Sequence, residues 1–251
     1  MNIRYILWRY SPDLLYSILA NAYRLLHPRR EGIIAIPWRQ AWLFKTRKVK
    51  LLSPTLRDTA IIECLDEKLH EQYFKVERGD VVIDVGASIG EFTIPAAMKA
   101  GDDGFVLAIE PEPRNFAFLW MNVKLNKLRN VKLCRKAVAN YKGWTTLYIS
   151  NHGVTGHTLV PKRETKTIRV EVDTLDNIAR DYGLDKTDFV KIDVEGFEIE
   201  VLKGADSTLN SAKKIVVECH SSRNVMIVAR ILKSKGFKVV YRKWVVYGIR
   251  M

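Results

Sequence analysis

The chain has 251 residues, 47% hydrophobic and 27% charged, a balance that suits one α/β domain with some decoration and excludes a low-complexity chain. Its three cysteines, Cys64, Cys134 and Cys219, lie far apart without C-x-x-C spacing, which excludes a disulfide framework or a zinc site and fits buried, reduced thiols in the cytoplasm. The net charge is +13, and residues 1–57 carry eleven Lys/Arg against Asp13 and Glu31. Nine of the thirteen excess charges therefore sit in that first segment, where they call for an anionic partner.

The first expected element is a helix. Ser11-Pro12-Asp13 offers a capping hydroxyl, a proline where no N–H is needed, and an acid at the positive end of the helix dipole. Leu14, Leu15, Ile18, Leu19, Ala22, Leu25 and Leu26 then recur at helical spacing until His27-Pro28. Arg4, Arg9, Arg24, Arg29 and Arg30 flank this stripe beside Trp8, Tyr10 and Tyr16. Two uses stay open: packing on the chain's own domain, or peripheral contact with an anionic membrane surface. No run approaches the ~18 uninterrupted apolar residues of a membrane span, and no signal peptide is read. Residues 29–57 give no clear element. A helix is expected from about 58 to 69, and the domain boundaries are set at 1–57 for a basic helical extension and 58–251 for the main α/β domain.

From Asp80 the pattern becomes regular. Apolar runs beginning at Val81, Phe105, Val131, Phe189 and Ile215 read as strands, with helical segments near 91–100, 114–127, 174–181 and 198–210 between several of them. Continuous apolar strands separated by helices predict a doubly wound, mostly parallel sheet covered on both faces. Extra strands are expected at 145–150 and 167–172. A C-terminal hairpin, F237-K-V-V-Y and W244-V-V-Y-G-I, is expected at the antiparallel sheet edge.

The turn after the first sheet strand reads Gly86-Ala87-Ser88-Ile89-Gly90. It fits both the G-x-S-x-G elbow of a serine hydrolase and a glycine loop that seats a nucleotide at a helix start. The surroundings favour the loop. Glu110, in Ile109-Glu110-Pro111, lies 20 residues beyond Gly90, where an acid ending the second strand receives a ribose diol. Asp84 suits the ammonium of an amino-acid moiety, directly or through water. Ser88 is then a lining residue.

V81-V-I-D-V-G-A-S-I-G-E-F, A108-I-E-P-E-P, N130-V-K-L-C-R-K-A-V-A-N, V172-D-T-L-D, the specific block D188-F-V-K-I-D-V-E-G-F-E-I-E-V-L-K-G-A, and V216-V-E-C-H together resemble an FkbM-type methyltransferase over residues 55 to 245. The resemblance implies a Rossmann-like sheet of seven strands with one antiparallel. It implies S-adenosyl-L-methionine as cofactor, and methyl transfer to oxygen on a sugar, glycan, glycolipid or secondary metabolite. The cofactor would meet Asp84, Gly86, Ala87, Ser88, Gly90, Glu110 and Pro111, with Ala137 and Val138.

Taking a proton from a hydroxyl acceptor calls for a base at the carboxyl ends of the strands. Asp193 and Glu195 close the fourth strand and His220 follows the fifth, so these three are the catalytic candidates. Glu195 could instead cap the next helix, His220 could be a plain loop residue, and Glu198 and Glu200 read as a solvated helix face. No metal is assigned, because Asp193 and Glu195 lack a third clear ligand. A small-molecule or glycan acceptor is expected rather than nucleic acid. RNA methylation and a non-catalytic cofactor-binding role are the alternatives.

Overall fold

A computed structural model describes residues 34–38, 41–46, 48–55, 70–150, 154–163 and 165–250. The expected helices at 11–26 and 58–69 lie outside these residues, as does Cys64.

The centre of the fold is a seven-stranded sheet. Its strands, in chain order, are β4 (Val81–Val85), β5 (Phe105–Ile109), β6 (Val131–Cys134), β10 (Phe189–Asp193), β11 (Lys214–Glu218), β12 (Lys238–Arg242) and β13 (Val245–Ile249). Their spatial order is β12-β13-β11-β10-β4-β5-β6. From β11 to β6 all neighbours are parallel, whereas β13 runs antiparallel to both β11 and β12. The C-terminal hairpin is as the sequence predicts, with its second strand inserted inside and its first on the edge. Burial explains that choice: β13 is buried at Val245, Val246 and Tyr247, while β12 leaves Val240 and Tyr241 exposed.

Side chains alternate between two apolar layers. Ile83, Val85, Leu107, Ile109, Val190, Ile192, Ile215 and Val217 face one cluster. That cluster is covered by α3 (Leu175–Asp181), α4 (Glu198–Lys203), α5 (Asp206–Ser211) and α6 (Ser222–Ser234). Val82, Val106, Phe189 and Val216 face the other side, against Phe92, Ala96, Ala97 and Ala100 around α1 (Thr93–Ala100). Pro95 stands in the first turn of α1, where N–H groups have no intrahelical partner. The helix expected over 198–210 is two helices. Gly204 breaks it where a Cβ would meet the Ala139 carbonyl at 2.3 Å, so backbone packing overrides local helical preference.

Two small sheets flank this core. β7 (Ala137–Val138), β8 (Gly143–Tyr148) and β9 (Thr167–Asp173) form one, with β9 central. β1 (Ile34–Trp38), β2 (Ala41–Lys45) and β3 (Lys50–Ser53) form an antiparallel meander. Within the segment expected to be a helical extension, residues 34–38, 41–45 and 50–53 are therefore strands. β1 and β2 are short and apolar at nearly every position, and Pro37 interrupts the first, so no two-residue alternation of apolar and polar residues stands out in the sequence. The burial shows that period: Phe44 and Leu51 are buried while Lys45 and Lys50 are exposed. The meander docks on α2 (Pro113–Leu125), where Asn122 receives Leu52 N–H at 2.6 Å and donates to Leu52 C=O at 3.0 Å. Asn126, just past the helix, treats Lys50 in the same way. Two amides one turn apart thus stand in for a neighbouring strand along β3.

Candidate active site

A cleft opens at the carboxyl ends of β4, β5 and β10. The turn after β4 forms one wall. Gly86 has φ +79°, and a Cβ there would lie 1.8 Å from the Asp193 carbonyl oxygen, so only glycine lets the turn pass the end of β10. Gly86 and Ala87 N–H both donate to the Ile109 carbonyl at 3.0 Å, which pins the turn to the end of β5. Lys191, buried in β10, holds the Gly86 carbonyl at 2.8 Å from the other side.

Glu110 and Pro111 line the cleft. The Glu110 carboxylate accepts Ser88 N–H at 2.8 Å and Glu112 N–H at 2.9 Å. Burial outweighs these bonds and raises its pKa to about 8. Ser88, at φ +50°, lines the cleft as expected. Its hydroxyl donates to Glu91 and to the Val154 carbonyl, and no histidine bonds it among the described residues. Among the described residues the hydroxyl therefore lacks the histidine base that the hydrolase alternative requires. Ala137 and Val138 line the opposite wall.

Three sequence candidates around the glycine turn do not border the cleft. Ala87 is buried in the core, and Gly90 packs under Leu119, where a Cβ would stand 2.9 Å from its methyl. Asp84 is fully buried and does not border the cleft. Its Oδ2 accepts the Thr93 hydroxyl at 2.6 Å, and its Oδ1 makes no hydrogen bond but faces Lys191 Nζ at 3.3 Å. Asp84 thus meets a cation of the protein's own, and that lysine bridges it to Gly86 and, at 3.6 Å, to Asp193.

Asp193, Glu195 and His220 converge at the far end. His220 Nε2 is 3.1 Å from Glu195 Oε2 and 3.8 Å from Asp193 Oδ1. Glu195, at φ +53°, accepts Gly156 N–H at 2.8 Å through Oε1, which ties it to the segment between β8 and β9. It does not cap α4. No side chain caps that helix; Glu198, its first residue, instead reaches back so that its Oε1 accepts Gly196 N–H at 2.7 Å. Glu198 is fully buried rather than solvated, and its Oε1 also lies 2.8 Å from His220 Nδ1. Glu200 does lie partly exposed, 3.6 Å from Lys203.

The charges follow from these contacts. Burial pulls the His220 pKa down, but the Glu198 hydrogen bond and the charges of Asp193 and Glu195 outweigh it and raise it to about 9. Burial pushes the Asp193 carboxyl up against the pull of Lys191. Asp193, Glu195 and His220 offer atoms within 4.8 Å of one another. Cation binding would have to displace the protons that hold the cluster, since Glu195 has a donor at each oxygen and His220 is protonated at neutral pH.

Sequence reasoning missed several lining groups. Asn115 gives an amide N–H to the Val154 carbonyl at 2.7 Å. Lys136 lies 2.8 Å from Glu171 and 3.3 Å from Asp173. His157 accepts Ser150 N–H at 2.9 Å, and burial lowers its pKa. The stretch Val154–Leu159 has no periodic signature, because a segment that caps a cleft is positioned by single hydrogen bonds rather than by a repeating face.

Residues 84–239 match the sequence profile described as the methyltransferase FkbM domain. Methyltransferase sdnD of Sordaria araneosa is 28% identical over 191 residues, covering 63% of this chain and 73% of that protein. Hexuronic acid methyltransferase AglP of Haloferax volcanii is 30% identical over 158 residues, covering 63% of each. Among solved structures, Aeropyrum pernix fibrillarin with natively bound S-adenosyl-L-methionine covers 86% of this chain and all of its own, at 12% identity and a TM-score of 0.49.

Proposed function

Because the chain belongs to the FkbM methyltransferase family, we propose that it moves a methyl group from S-adenosyl-L-methionine to a hydroxyl of a sugar, glycan, glycolipid or secondary metabolite. The observation that carries this reading is one cleft lined by Glu110 and by the carboxylates Asp193 and Glu195, with the His220 imidazole 3.1 Å from Glu195.

The residues present fit the donor. The close packing of Gly86 on Asp193 leaves room for backbone contact, Glu110 can receive a ribose diol, and Ala137 and Val138 offer an apolar wall. S-adenosyl-L-methionine, when bound, supplies a methyl group on a sulfonium. The chain's own part is alignment of the acceptor and removal of its proton.

Asp193 is the group we assign to the proton. It lines the cleft beside the Gly86 turn, no hydrogen bond occupies its carboxylate oxygens among the described residues, and its raised pKa makes it a stronger base than an exposed aspartate. Glu195 is held at both oxygens and serves orientation. His220, charged at neutral pH, stabilises the carboxylates around the acceptor. The name of the Haloferax volcanii relative favours an acidic sugar within the acceptor class.

Mass spectrometry of glycans and lipids from cells with and without this protein tests the reading. A species lighter by one methylene unit in its absence identifies the acceptor. Unchanged glycans and lipids beside an altered RNA nucleoside would replace the reading with RNA methylation.

A further inference from the structure

We propose that Glu198 is a positioning residue of the acceptor site: it orients the His220 ring through Nδ1 and holds it as an imidazolium facing Asp193 and Glu195. The proposal rests on the reading of this cluster as the place where the acceptor loses its proton. It assigns a task to a residue that the sequence pattern places on a solvated helix face.

Glu198 is the first residue of α4 and is fully buried. A carboxylate in that position is costly unless its oxygens are matched by donors. Each is. Oε1 takes Gly196 N–H at 2.7 Å and His220 Nδ1 at 2.8 Å, and Oε2 takes the Asn224 side-chain amide at 2.7 Å. Gly196 belongs to the turn after β10, His220 to the loop after β11, and Asn224 to α6, where Ser221 caps the helix by accepting Asn224 N–H at 3.0 Å. One side chain therefore fixes three segments around the imidazole.

The consequence is directional. A carboxylate accepting at Nδ1 requires a proton there, so Nε2 is the nitrogen presented to Glu195 at 3.1 Å and Asp193 at 3.8 Å. A ring turned over would aim Nδ1 at the acceptor site and break the bond to Glu198. The titratable groups around the ring are Asp193 at the end of β10, Glu195 in the following turn, Glu198 on α4, and Glu218 at the end of β11, with Lys191 and His70 beside Asp193. Asn224 is the polar neighbour contributed by α6. Of the carboxylates, Glu198 bonds the ring at Nδ1 from a fully buried position, where a charge-assisted bond is strongest.

The test uses the full chain and needs no acceptor. NMR titration of the imidazole signals, assigned through His220→Asn, should show His220 losing its proton near pH 9 in the unmodified protein. In Glu198→Gln, which keeps the shape and an acceptor oxygen but not the charge, that midpoint should fall by about one pH unit or more. Calorimetry with S-adenosyl-L-methionine should give the same affinity for both proteins. An ordinary histidine titration in the unmodified protein overturns the proposal without any variant, which covers a Glu198→Gln chain that fails to fold. An unshifted midpoint in a folded Glu198→Gln overturns it as well. Loss of cofactor binding by the unmodified protein would instead sink the methyltransferase reading and leave the titration result standing.

Discussion

At the scale of single residues, Glu110 carries the sharpest consequence. Burial holds its carboxyl at about 8, far above an ordinary glutamate, in the ligand-free fold. Two ribose hydroxyls bind both oxygens of the ionised form far better than the protonated acid, one of whose oxygens carries a proton and is a poor acceptor, so binding selects the ionised form and releases a proton. The competent form is depleted as pH falls through 8. Affinity for S-adenosyl-L-methionine should therefore weaken about twenty-fold between roughly pH 8.5 and 6.5. Glu110→Ala should cost about 3 kcal/mol of binding and abolish that pH dependence. Calorimetry at several pH values checks both, and a flat profile in the unmodified protein would remove Glu110 from the donor site. Glu110 was legible in the sequence because the distance from a glycine turn to the end of the next parallel strand is fixed by one helical crossover. Glu198 was not. An acid in the first turn of a helix is ordinarily solvent-facing and favourable to the helix dipole, and here His220 and Asn224, arriving from the segment after β11, cover it.

At the scale of elements, the meander β1–β3 depends on α2 for its edge. Asn122 is fully buried and makes three bonds, two to Leu52 and one to the Ile89 carbonyl at 2.8 Å in the turn after β4. Asn122→Ala leaves those backbone groups unpaired and should destabilise the chain by about 2–4 kcal/mol. A lowered denaturant midpoint with an unchanged slope is the expected result. The parallel strands were legible because strands buried on both faces read as unbroken apolar runs. The meander was not, since its register is written in two asparagine side chains 70 or more residues away. The break between α4 and α5 was hidden for a related reason: Gly204 is chosen by the Ala139 carbonyl of a distant segment.

At the scale of the whole molecule, charge is distributed unevenly, with nine of the thirteen excess positive charges in residues 1–57. No described helix is long and apolar enough to cross a membrane. We expect the basic N-terminal segment to bring the catalytic cleft to an anionic surface, each basic residue near such lipid contributing about 1 kcal/mol before salt screens it. In flotation at low salt the full chain should rise with anionic liposomes and not with neutral ones, and a chain lacking residues 1–30 should stay behind. Equal flotation of the two would make that charge incidental. One cleft is lined by both Glu110 and Asp193, which we propose serve as donor wall and base. The most direct test of that assignment is transfer of labelled methyl from S-adenosyl-L-methionine to uronic-acid-containing glycans by the unmodified chain and by Asp193→Asn, with cofactor affinity measured alongside. The account predicts an O-linked methyl product whose rate of formation falls ~10²–10⁴-fold in Asp193→Asn while the cofactor still binds. Undiminished transfer by Asp193→Asn would contradict it.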